Sequence, residues 1–453
     1  MRGPVPLRPG MSEAPSPLRF SVRWLATALA LLGAVAAAPA HAAPWRLEPI
    51  AASEGVVGLQ DLAFDAQGRA LLSWNGALRG RVPPLFGGVA SRDPSGGWQR
   101  APDLDGVQPA DARIHLYGTT RAMLVAREAR SDTSRRRLVI ADGQSDGGFG
   151  PFSVLDDFVS DHWSDANAAG DAIVAWTGER SPFIRVAERT AGRAFAPPRD
   201  LAIGRNAAVA INARGERVLA WRAGTRLAAR VRPAGGEWTR VVRFGHVTSI
   251  QSLRLSVLMV RNGRVVLTWG SVGRSCGVAV SDGAGRWRAR KLERRCGPTG
   301  ADPRGAPVLP VADGRGATYV AWTGPTRKGR RAVKLARVGA GATISALVLS
   351  HERGAVLDDV AGGPRRALAV TYAAPRPTRA NPFLVATFAA LRRGGGAFGA
   401  ADRLTPPRVA GTRGSRVAFH PLTGEPVVAV PYLVGFNVAV GAAVGPPAPA
   451  AAP

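Results

Sequence analysis

One short pattern of apolar and polar positions recurs along the chain: a glycine, two variable residues, an apolar pair, one further residue and a tryptophan. It stands as GRALLSW (68–74), GDAIVAW (170–176), GERVLAW (215–221), GRVVLTW (263–269) and GATYVAW (316–322), with weaker copies at 121–127, 366–372 and 424–430. Successive copies follow one another after about 50 residues, which is typical of an array of supersecondary units and lies in the range of propeller blades.

Each copy predicts four short strands. A strand such as 207–212 is followed by a turn of the type Asp65–Gly68 or Asn212–Gly215, and the phrase ending in tryptophan forms strand two. A variable loop leads to strand three, and a glycine-rich turn precedes strand four, which begins with an aromatic residue. Strands of four to six residues with regular turn signals indicate an all-β chain. The sequence carries no sustained 3.6-residue apolar period of the kind that indicates helices.

The two ends of the repeat array complete each other. The eighth copy, 415–444, contains three strands, and residues 45–50 (WRLEPI) have the pattern of an isolated strand four. Pairing this strand with the last copy would close a ring and leave only short, protected edges. The sequence therefore predicts a β-propeller of eight four-stranded blades closed by 45–50. Seven blades is the alternative, because copies two and eight are degenerate.

The predicted domain organisation follows from these assignments. A single propeller domain spans 43–444, preceded by a signal peptide at 1–42 and followed by a Pro/Ala-rich tail at 445–453. The blades are expected near 51–104, 111–156, 165–202, 205–244, 252–293, 306–350, 356–405 and 414–444 plus 45–50.

The tryptophans at the end of strand two have a predicted structural role. One aromatic residue in each repeat would pack one sheet on the next. A set of ligand-binding aromatic side chains is the alternative. The five residues are Trp74, Trp176, Trp221, Trp269 and Trp322.

An export signal is indicated at the N-terminus. Arg19 and Arg23 precede an apolar stretch at 25–38, and residues 40–42 (AHA) fit the small-x-small cleavage pattern. A retained anchor is the alternative. We expect a bacterial protein that is secreted or associated with the cell envelope, with no membrane span after cleavage.

The two cysteines, Cys276 and Cys296, predict a disulfide, because a pair in an exported chain favours oxidation. The ~20-residue loop that it closes would contribute about 3 kcal/mol.

The histidines lack the spacing of zinc ligands, so neither a metal nor a cofactor is expected. Four aspartates cluster with His162, which suggests a cation site or, alternatively, pairing with nearby arginines: Asp156, Asp157, Asp161 and Asp165.

Two turns between strands three and four resemble a known motif. Residues 91–98 (SRDPSGGW) and 281–287 (SDGAGRW) are similar to the Asp-box hairpin of sialidase-type (BNR) propellers. The resemblance implies the propeller architecture of secreted bacterial repeat proteins. It does not imply sialidase activity, since that family's arginine triad and Tyr/Glu nucleophile pair are not recognised in this sequence.

The charge of the chain is strongly positive and almost entirely due to arginine. Lys+Arg number 60 against 32 for Asp+Glu, a net charge of +28. Many arginines fall in the loops between strands two and three, which emerge on one face of a propeller. Guanidinium groups there would attract and bind carboxylate or phosphate. The candidate ligand-binding residues are Arg135, Arg136, Arg137, Arg327, Arg330 and Arg331. A solvated rim reflecting a GC-rich genome is the alternative.

These observations predict a binding or scaffold propeller without catalytic activity. Its expected partner is an anionic polymer or glycan of the cell envelope, or a protein. The alternative is a propeller-fold glycosidase or lyase, which needs a carboxylate pair that the sequence does not reveal. Nucleic acid is not expected, because the chain is predicted to be exported and lacks interleaved exposed aromatic residues.

Overall fold

The computed structural model of the protein describes most of the chain beyond the N-terminal 44 residues. The described residues are 45–53, 56–77, 85–101, 109–129, 136–247, 253–271, 274–283, 285–296, 308–326, 328–339, 342, 344–350, 352–377, 384–405, 408–409, 414–434 and 437–446. The predicted signal peptide therefore lies outside the described residues, as does most of the predicted tail. Within these ranges, no helix is long and apolar enough to cross a lipid bilayer.

The strands form eight separate antiparallel sheets, here called blades one to eight in chain order. The strands of each blade are given from the innermost outward. Blade one consists of β2 (Val56–Phe64), β3 (Ala70–Ala77), β4 (Leu85–Arg92) and β5 (Trp98–Arg100), and blade two of β6 (Pro109–Tyr117), β7 (Arg121–Ala129), β8 (Arg136–Gln144) and β9 (Ser153–Asp156). Blade three consists of β10 (Val159–Ala166), β11 (Ala172–Gly178), β12 (Phe183–Arg189) and β13 (Arg199–Ile203), and blade four of β14 (Arg205–Ile211), β15 (Arg217–Ala223), β16 (Arg226–Arg232) and β17 (Val242–His246).

Blades five to eight repeat the same order. Blade five consists of β18 (Arg254–Met259), β19 (Val265–Gly270), β20 (Cys276–Ser281) and β21 (Trp287–Glu293), and blade six of β22 (Val308–Ala312), β23 (Thr318–Pro325), β24 (Arg331–Val338) and β25 (Ile344–Val348). Blade seven consists of β26 (Val356–Gly362), β27 (Leu368–Pro375), β28 (Leu384–Arg392) and β29 (Asp402–Arg403), and blade eight of β31 (Arg416–Phe419), β32 (Pro426–Val434), β33 (Asn437–Val444) and β1 (Arg46–Ser53). The short β30 (Arg408–Val409) also pairs with β28, and a 3-10 helix at Pro364–Arg366 joins β26 to β27.

The innermost strands arrange the blades in a ring. Each first strand contacts the first strand of the next blade, and β31 of blade eight contacts β2 of blade one. The predicted eight-bladed β-propeller is therefore confirmed, and the seven-blade alternative is wrong. The innermost strands line the channel at the centre of the ring.

The N-terminal strand closes the ring as predicted. Strand β1 pairs with β33 from Arg46↔Val444 to Ser53↔Val438, with a bulge between Pro49 and Ala51. It extends three residues beyond the predicted strand at 45–50. Just before it, the Trp45 indole Nε1–H donates to Asp402 Oδ2 of blade seven at 3.0 Å. The closing segment is thus attached to two blades at once.

The turns between the first and second strands share one hydrogen-bonding pattern. Asp65 Oδ1 accepts the backbone N–H groups of Gln67 (2.9 Å) and Arg69 (2.8 Å). The side chains of Asn167, Asn212 and Asp313 accept the corresponding N–H groups two and four residues further on. Gly68 completes the first of these turns at φ +84°, a conformation that side chains disfavour. The Asp/Asn-x-x-Gly signal therefore corresponds to a side-chain-capped turn.

The tryptophans that end strand two lie between blades. Each is almost fully buried in an apolar cluster that its own blade shares with the preceding one; Trp176, for example, contacts the cluster containing Met123 and Leu138 of blade two. The other four occupy equivalent positions: Trp74, Trp221, Trp269 and Trp322. Burial of one such aromatic side chain at each interface contributes several kcal/mol.

Glycines opposite two tryptophans make room for the indole rings. Trp74 pairs with Gly88 across β3 and β4, and Trp269 pairs with Gly277 across β19 and β20. A Cβ atom on Gly88 would lie 2.3 Å from Trp74 Cζ2, and one on Gly277 would lie 2.1 Å from Trp269 Cζ2. The ring therefore lies flat over the neighbouring strand, where no side chain fits.

The predicted disulfide is present. Cys276 begins β20 and Cys296 follows β21, with Cα atoms 5.8 Å apart and both side chains fully buried. The bond joins strands three and four of blade five. Such a bond is consistent with an oxidising compartment.

We expect Gly88→Ala to destabilise the protein by about 2 kcal/mol, because the added methyl group overpacks the Trp74 site. Chemical unfolding followed by tryptophan fluorescence measures the change. Gly399→Ala is the matched control, since a Cβ there meets only Leu391 O at 3.9 Å. Equal stability of the two variants would show that the Trp74 packing tolerates the methyl group.

Candidate anion-binding site

Two faces of the ring carry different loops. The upper face is defined here as the end at which strand two ends and strand three begins, and the loops between blades also emerge there. The lower face carries the turns between strands one and two and between strands three and four. The four candidate arginines that the structure describes, Arg136, Arg137, Arg330 and Arg331, belong to the upper face because they lie in, or next to, loops between strands two and three.

The candidate arginines that the structure describes do not form one cluster. Arg136 is exposed at the start of β8, and Arg137 Nε donates to Glu128 Oε2 at 2.6 Å. Arg330 and Arg331 belong to blade six, on the opposite side of an eight-membered ring from blade two. Arg135 and Arg327 lie outside the described residues. A single small ligand therefore cannot contact both groups.

Arg330 and Arg331 border a basic cleft on the upper face. The loop between strands two and three of blade six supplies Lys328, Arg330 and Arg331, and the connection to blade seven supplies Glu352 and Arg353. The cleft has a volume of about 280 Å³. The pairing of strands three and four of blade six thus brings together residues that are more than 20 positions apart in the sequence.

The positive charge in this cleft, here called the upper cleft, exceeds the negative charge. Lys328, Arg330 and Arg353 are exposed and Arg331 is half-buried. None of the four side chains forms an ion pair or hydrogen bond with another residue in the described part of the chain. Four cations therefore share the cleft with a single carboxylate.

That carboxylate, Glu352, already has two partners. The Tyr372 hydroxyl donates to Glu352 Oε2 at 2.9 Å, and Arg376 Nη2 lies 3.7 Å from Oε1. Burial raises the pKa of Tyr372, and the bond to Glu352 acts in the same direction, so the hydroxyl keeps its proton.

Burial lowers the pKa of Arg331, which indicates incomplete hydration of a guanidinium without an acidic partner. An anion that entered the upper cleft would supply the missing partner.

Aspartates on the innermost strands form a second group, in the channel. Asp61 Oδ2 accepts the N–H of Ile114, on the first strand of the next blade, at 3.0 Å, while Oδ1 accepts that of Leu62. Asp165 bonds Ile211 and Ala166 in the same way, and Asp359 bonds Val417 and Val360. The same arrangement therefore joins blades one to two, three to four, and seven to eight. We call these three residues the inter-blade aspartates.

The channel histidines do not add positive charge near neutral pH. His115 Nε2 lies 2.8 Å from Ser164 Oγ of the neighbouring blade. Burial lowers the pKa of His115 to about 4 and that of His162 to about 3. Arg113 projects into the same region, and burial lowers its pKa also. The channel therefore places arginine and aspartate side chains beside imidazoles that are neutral near pH 7.

The aspartates that cluster in the sequence around His162 are separated in the structure. Asp156 Oδ2 accepts from Trp176 Nε1 at 2.6 Å and from Arg185 Nη1 at 2.5 Å, and Asp161 lies 4.0 Å from Arg127. Asp165 lies further along β10, in the channel. Among the described residues, no group of three or more His, Cys, Asp or Glu side chains could hold a metal ion. Pairing with arginine, the alternative considered from the sequence, accounts for Asp156 and Asp161.

Sequence reasoning missed two features of these sites. Glu352 and Arg353 follow strand four of blade six, in a connection between blades, whereas the arginines predicted to bind lie between strands two and three. The inter-blade aspartates precede apolar residues in the short phrases QDL, SDA and DDV. Their pattern becomes recognisable only once the first strands are known to be neighbours.

Comparisons with known proteins identify similar folds and no family. No protein-family model matches the chain, and no curated protein matches it. Solved structures with a similar fold include an ulvan lyase, a polysaccharide lyase bound to -[GlcA(1-4)Rha3S]-, at 12% identity over 87% of this chain and 95% of that one, with a TM-score of 0.48. A lectin of Aleuria aurantia in complex with alpha-methyl-L-fucoside aligns at 11% identity over 67% and 97%, with a TM-score of 0.39.

A Hadza microbial sialidase aligns at 13% identity over 65% of each chain, with a TM-score of 0.36. At these levels the similarity transfers no activity or ligand to this protein. The likeness to the Asp-box hairpin stays a prediction from the sequence.

The stability contributed by Asp165 should depend on pH. Burial raises its pKa to about 7, well above that of an unfolded aspartate. The folded state therefore binds a proton between about pH 4 and 7 that the unfolded state releases, so this contribution to stability is complete below about pH 4 and is lost as the pH rises through 7.

We expect Asp165→Asn to remove this dependence. Relative to wild type, the variant should gain about 2 kcal/mol in free energy of unfolding between pH 5 and pH 8. Urea unfolding of both proteins at the two pH values measures the difference. A difference that does not change with pH would show that Asp165 is ionised throughout.

Proposed function

We propose that the protein is a secreted propeller that binds an anionic polymer or glycan of the cell envelope through its upper face, without catalysing a reaction on it. The observation that carries this proposal is the upper cleft, where Lys328, Arg330, Arg331 and Arg353 face one another without an acidic partner among the described residues. The signal-like N-terminal sequence and the disulfide support the assignment to an exported protein.

The chemistry of the upper cleft favours carboxylate, sulfate or phosphate groups. A guanidinium presents a planar set of N–H donors that fits two oxygens of such a group, and three of the four cations are arginines. Glu352 does not compete for them, since Tyr372 and Arg376 hold its oxygens. Because most of the cleft is exposed, we expect moderate affinity that decreases with salt.

The separation of the basic residues favours an extended ligand. Arg136 on blade two and the upper cleft on blade six lie on opposite sides of the ring. A polymer crossing the upper face could contact both, and each additional contact would raise its overall affinity. A small anion could occupy only one location at a time.

The alternative, a propeller-fold glycosidase or lyase, needs carboxylates that are available for proton transfer. The inter-blade aspartates Asp61, Asp165 and Asp359 each accept one backbone N–H on each oxygen. These bonds support a role in holding neighbouring blades together. They favour binding over chemistry as the proposed function.

A salt series on a heparin matrix tests the proposal. The test variant is Lys328→Gln/Arg330→Gln/Arg331→Gln/Arg353→Gln, and the matched control is Arg240→Gln/Arg243→Gln/Arg288→Gln/Arg290→Gln, whose four exposed arginines lie on outer strands or next to them. Both variants lose four positive charges. We expect the test variant to lose affinity by about tenfold or more, because several charge-assisted hydrogen bonds are removed.

The control variant distinguishes binding at the upper cleft from an effect of the protein's net charge. It should elute close to the wild-type salt concentration if the upper cleft is responsible. If the two variants elute together, net charge alone governs retention and the proposed site is wrong. Unfolding curves of both variants establish that each is folded before binding is compared.

A further inference from the structure

A second basic cleft lies on the lower face, between blades two and three. It has a volume of about 460 Å³ and is lined by side chains that include Tyr117, Arg121, Asp142, Gln144, Arg189 and Arg193. All of them follow or precede turns on the lower face, at the end of the ring opposite the upper cleft. We call it the lower cleft.

Arg189 forms the buried wall of the lower cleft. Its side chain is 5% exposed, and its guanidinium lies over the rings of Tyr117 (5.2 Å) and Phe195 (5.1 Å). Nη1 donates to Asp142 Oδ1 at 2.6 Å, whereas Nε and Nη2 have no hydrogen-bond partner among the described residues. Because these two N–H groups are buried, a ligand in the cleft does not reach them, and Arg189 contributes the packed wall of the site.

The single carboxylate of the lower cleft is already engaged. Asp142 Oδ1 accepts from Arg189 and also from the Tyr117 hydroxyl at 3.0 Å. Burial raises the pKa of Tyr117, so this hydroxyl remains a donor. Asp142 therefore offsets the charge of Arg189 and leaves the other two cations unbalanced.

Arg121 and Arg193 supply those two cations at the exposed rim. Neither side chain forms an ion pair or hydrogen bond within the described ranges. Arg121 begins β7, and Arg193 belongs to the turn after β12. The lower cleft thus combines three arginines with one carboxylate and opens to solvent.

A similar stacked arginine in blade seven shows which part of the lower cleft serves packing alone. Arg392 of blade seven lies over the rings of Tyr319 (4.5 Å) and Phe398 (5.9 Å) and contacts Asp313 at 3.4 Å. The segment RTAGRAF (189–195) corresponds to RRGGGAF (392–398), so Arg193 is replaced by Gly396. Stacking of an arginine between aromatic rings is therefore a repeated packing feature. The rim arginines distinguish the lower cleft.

We propose that the lower cleft is a second binding site, which takes a carboxylate or sulfate group such as that of an acidic saccharide. The rim guanidiniums of Arg121 and Arg193 hold the oxyanion, and the stacked Arg189 forms the wall behind it. The site lies on the opposite face from the upper cleft. One molecule can then hold two anionic segments, one on each face.

Titration with small anions at constant ionic strength tests this proposal. The probes are sodium sulfate and sodium glucuronate, with glucose as the neutral control, and binding is followed by isothermal titration calorimetry. The test variant is Arg121→Gln/Arg193→Gln and the matched control is Arg240→Gln/Arg243→Gln. All four residues are exposed, so the substitutions leave the packing intact.

All of these proteins carry the four glutamine substitutions of the upper cleft. Binding that remains therefore does not come from the upper cleft, whether or not the upper face binds a polymer. We expect the control to bind at least one of the two anions, and the test variant to bind it about tenfold more weakly or not at all.

The choice of anion identifies the group that is recognised. Binding of sulfate alone supports a sulfate ester as the ligand, binding of glucuronate alone supports a carboxylate, and binding of both supports either. Absence of binding to the control protein, or equal binding by control and test variant, overturns the proposal. Equal binding of glucose and glucuronate also overturns it, because the charge would then play no part.

Discussion

The pairing of β1 with β33 is the interaction on which the rest of the structure depends. Each blade has two apolar faces, so an open row of eight would leave one face exposed at each end. The N-terminal strand completes blade eight and thereby brings it against blade one. Glu48 in β1 strengthens this junction, since its Oε2 accepts from the buried Arg92 Nε of blade one at 3.2 Å. Ring closure therefore joins residues that are almost 400 positions apart.

Once the ring is closed, two kinds of contact keep neighbouring blades in register. Tryptophans at the end of strand two fill the apolar interface with the preceding blade, as Trp176 does. The inter-blade aspartates bond the backbone of the following blade near the channel. The apolar contacts supply most of the free energy, whereas the aspartates fix the position of one inner strand against the next.

The excess of arginine is distributed unevenly over these surfaces. Many arginines have an acidic partner nearby; Glu188 alone lies within 3.5 Å of Arg199, Arg217 and Arg232. The upper and lower clefts differ from that site because most of their cations form no ion pair or hydrogen bond with another described residue, and their carboxylates are already bonded. A basic composition alone would produce a diffuse potential. Local pairing concentrates the unbalanced charge in particular clefts, and this concentration gives the proposed binding function its structural basis.

The sequence by itself determined the strands, the closing strand and the disulfide, because each is encoded in a local pattern or in the presence of only two cysteines, and it favoured eight repeats over seven. The tertiary structure decided which charged residues meet. Arg330 and Arg331 lie beside Arg353 because strand pairing in blade six brings its loop between strands two and three next to the connection that follows strand four. Arg121 lies beside Arg193 because blades two and three are neighbours in the ring. It also decided that Asp165 lies in the channel, apart from Asp156 and Asp161. The reason is physical: side-chain pattern along a strand specifies burial, whereas contacts between blades depend on the closure and packing of the whole ring.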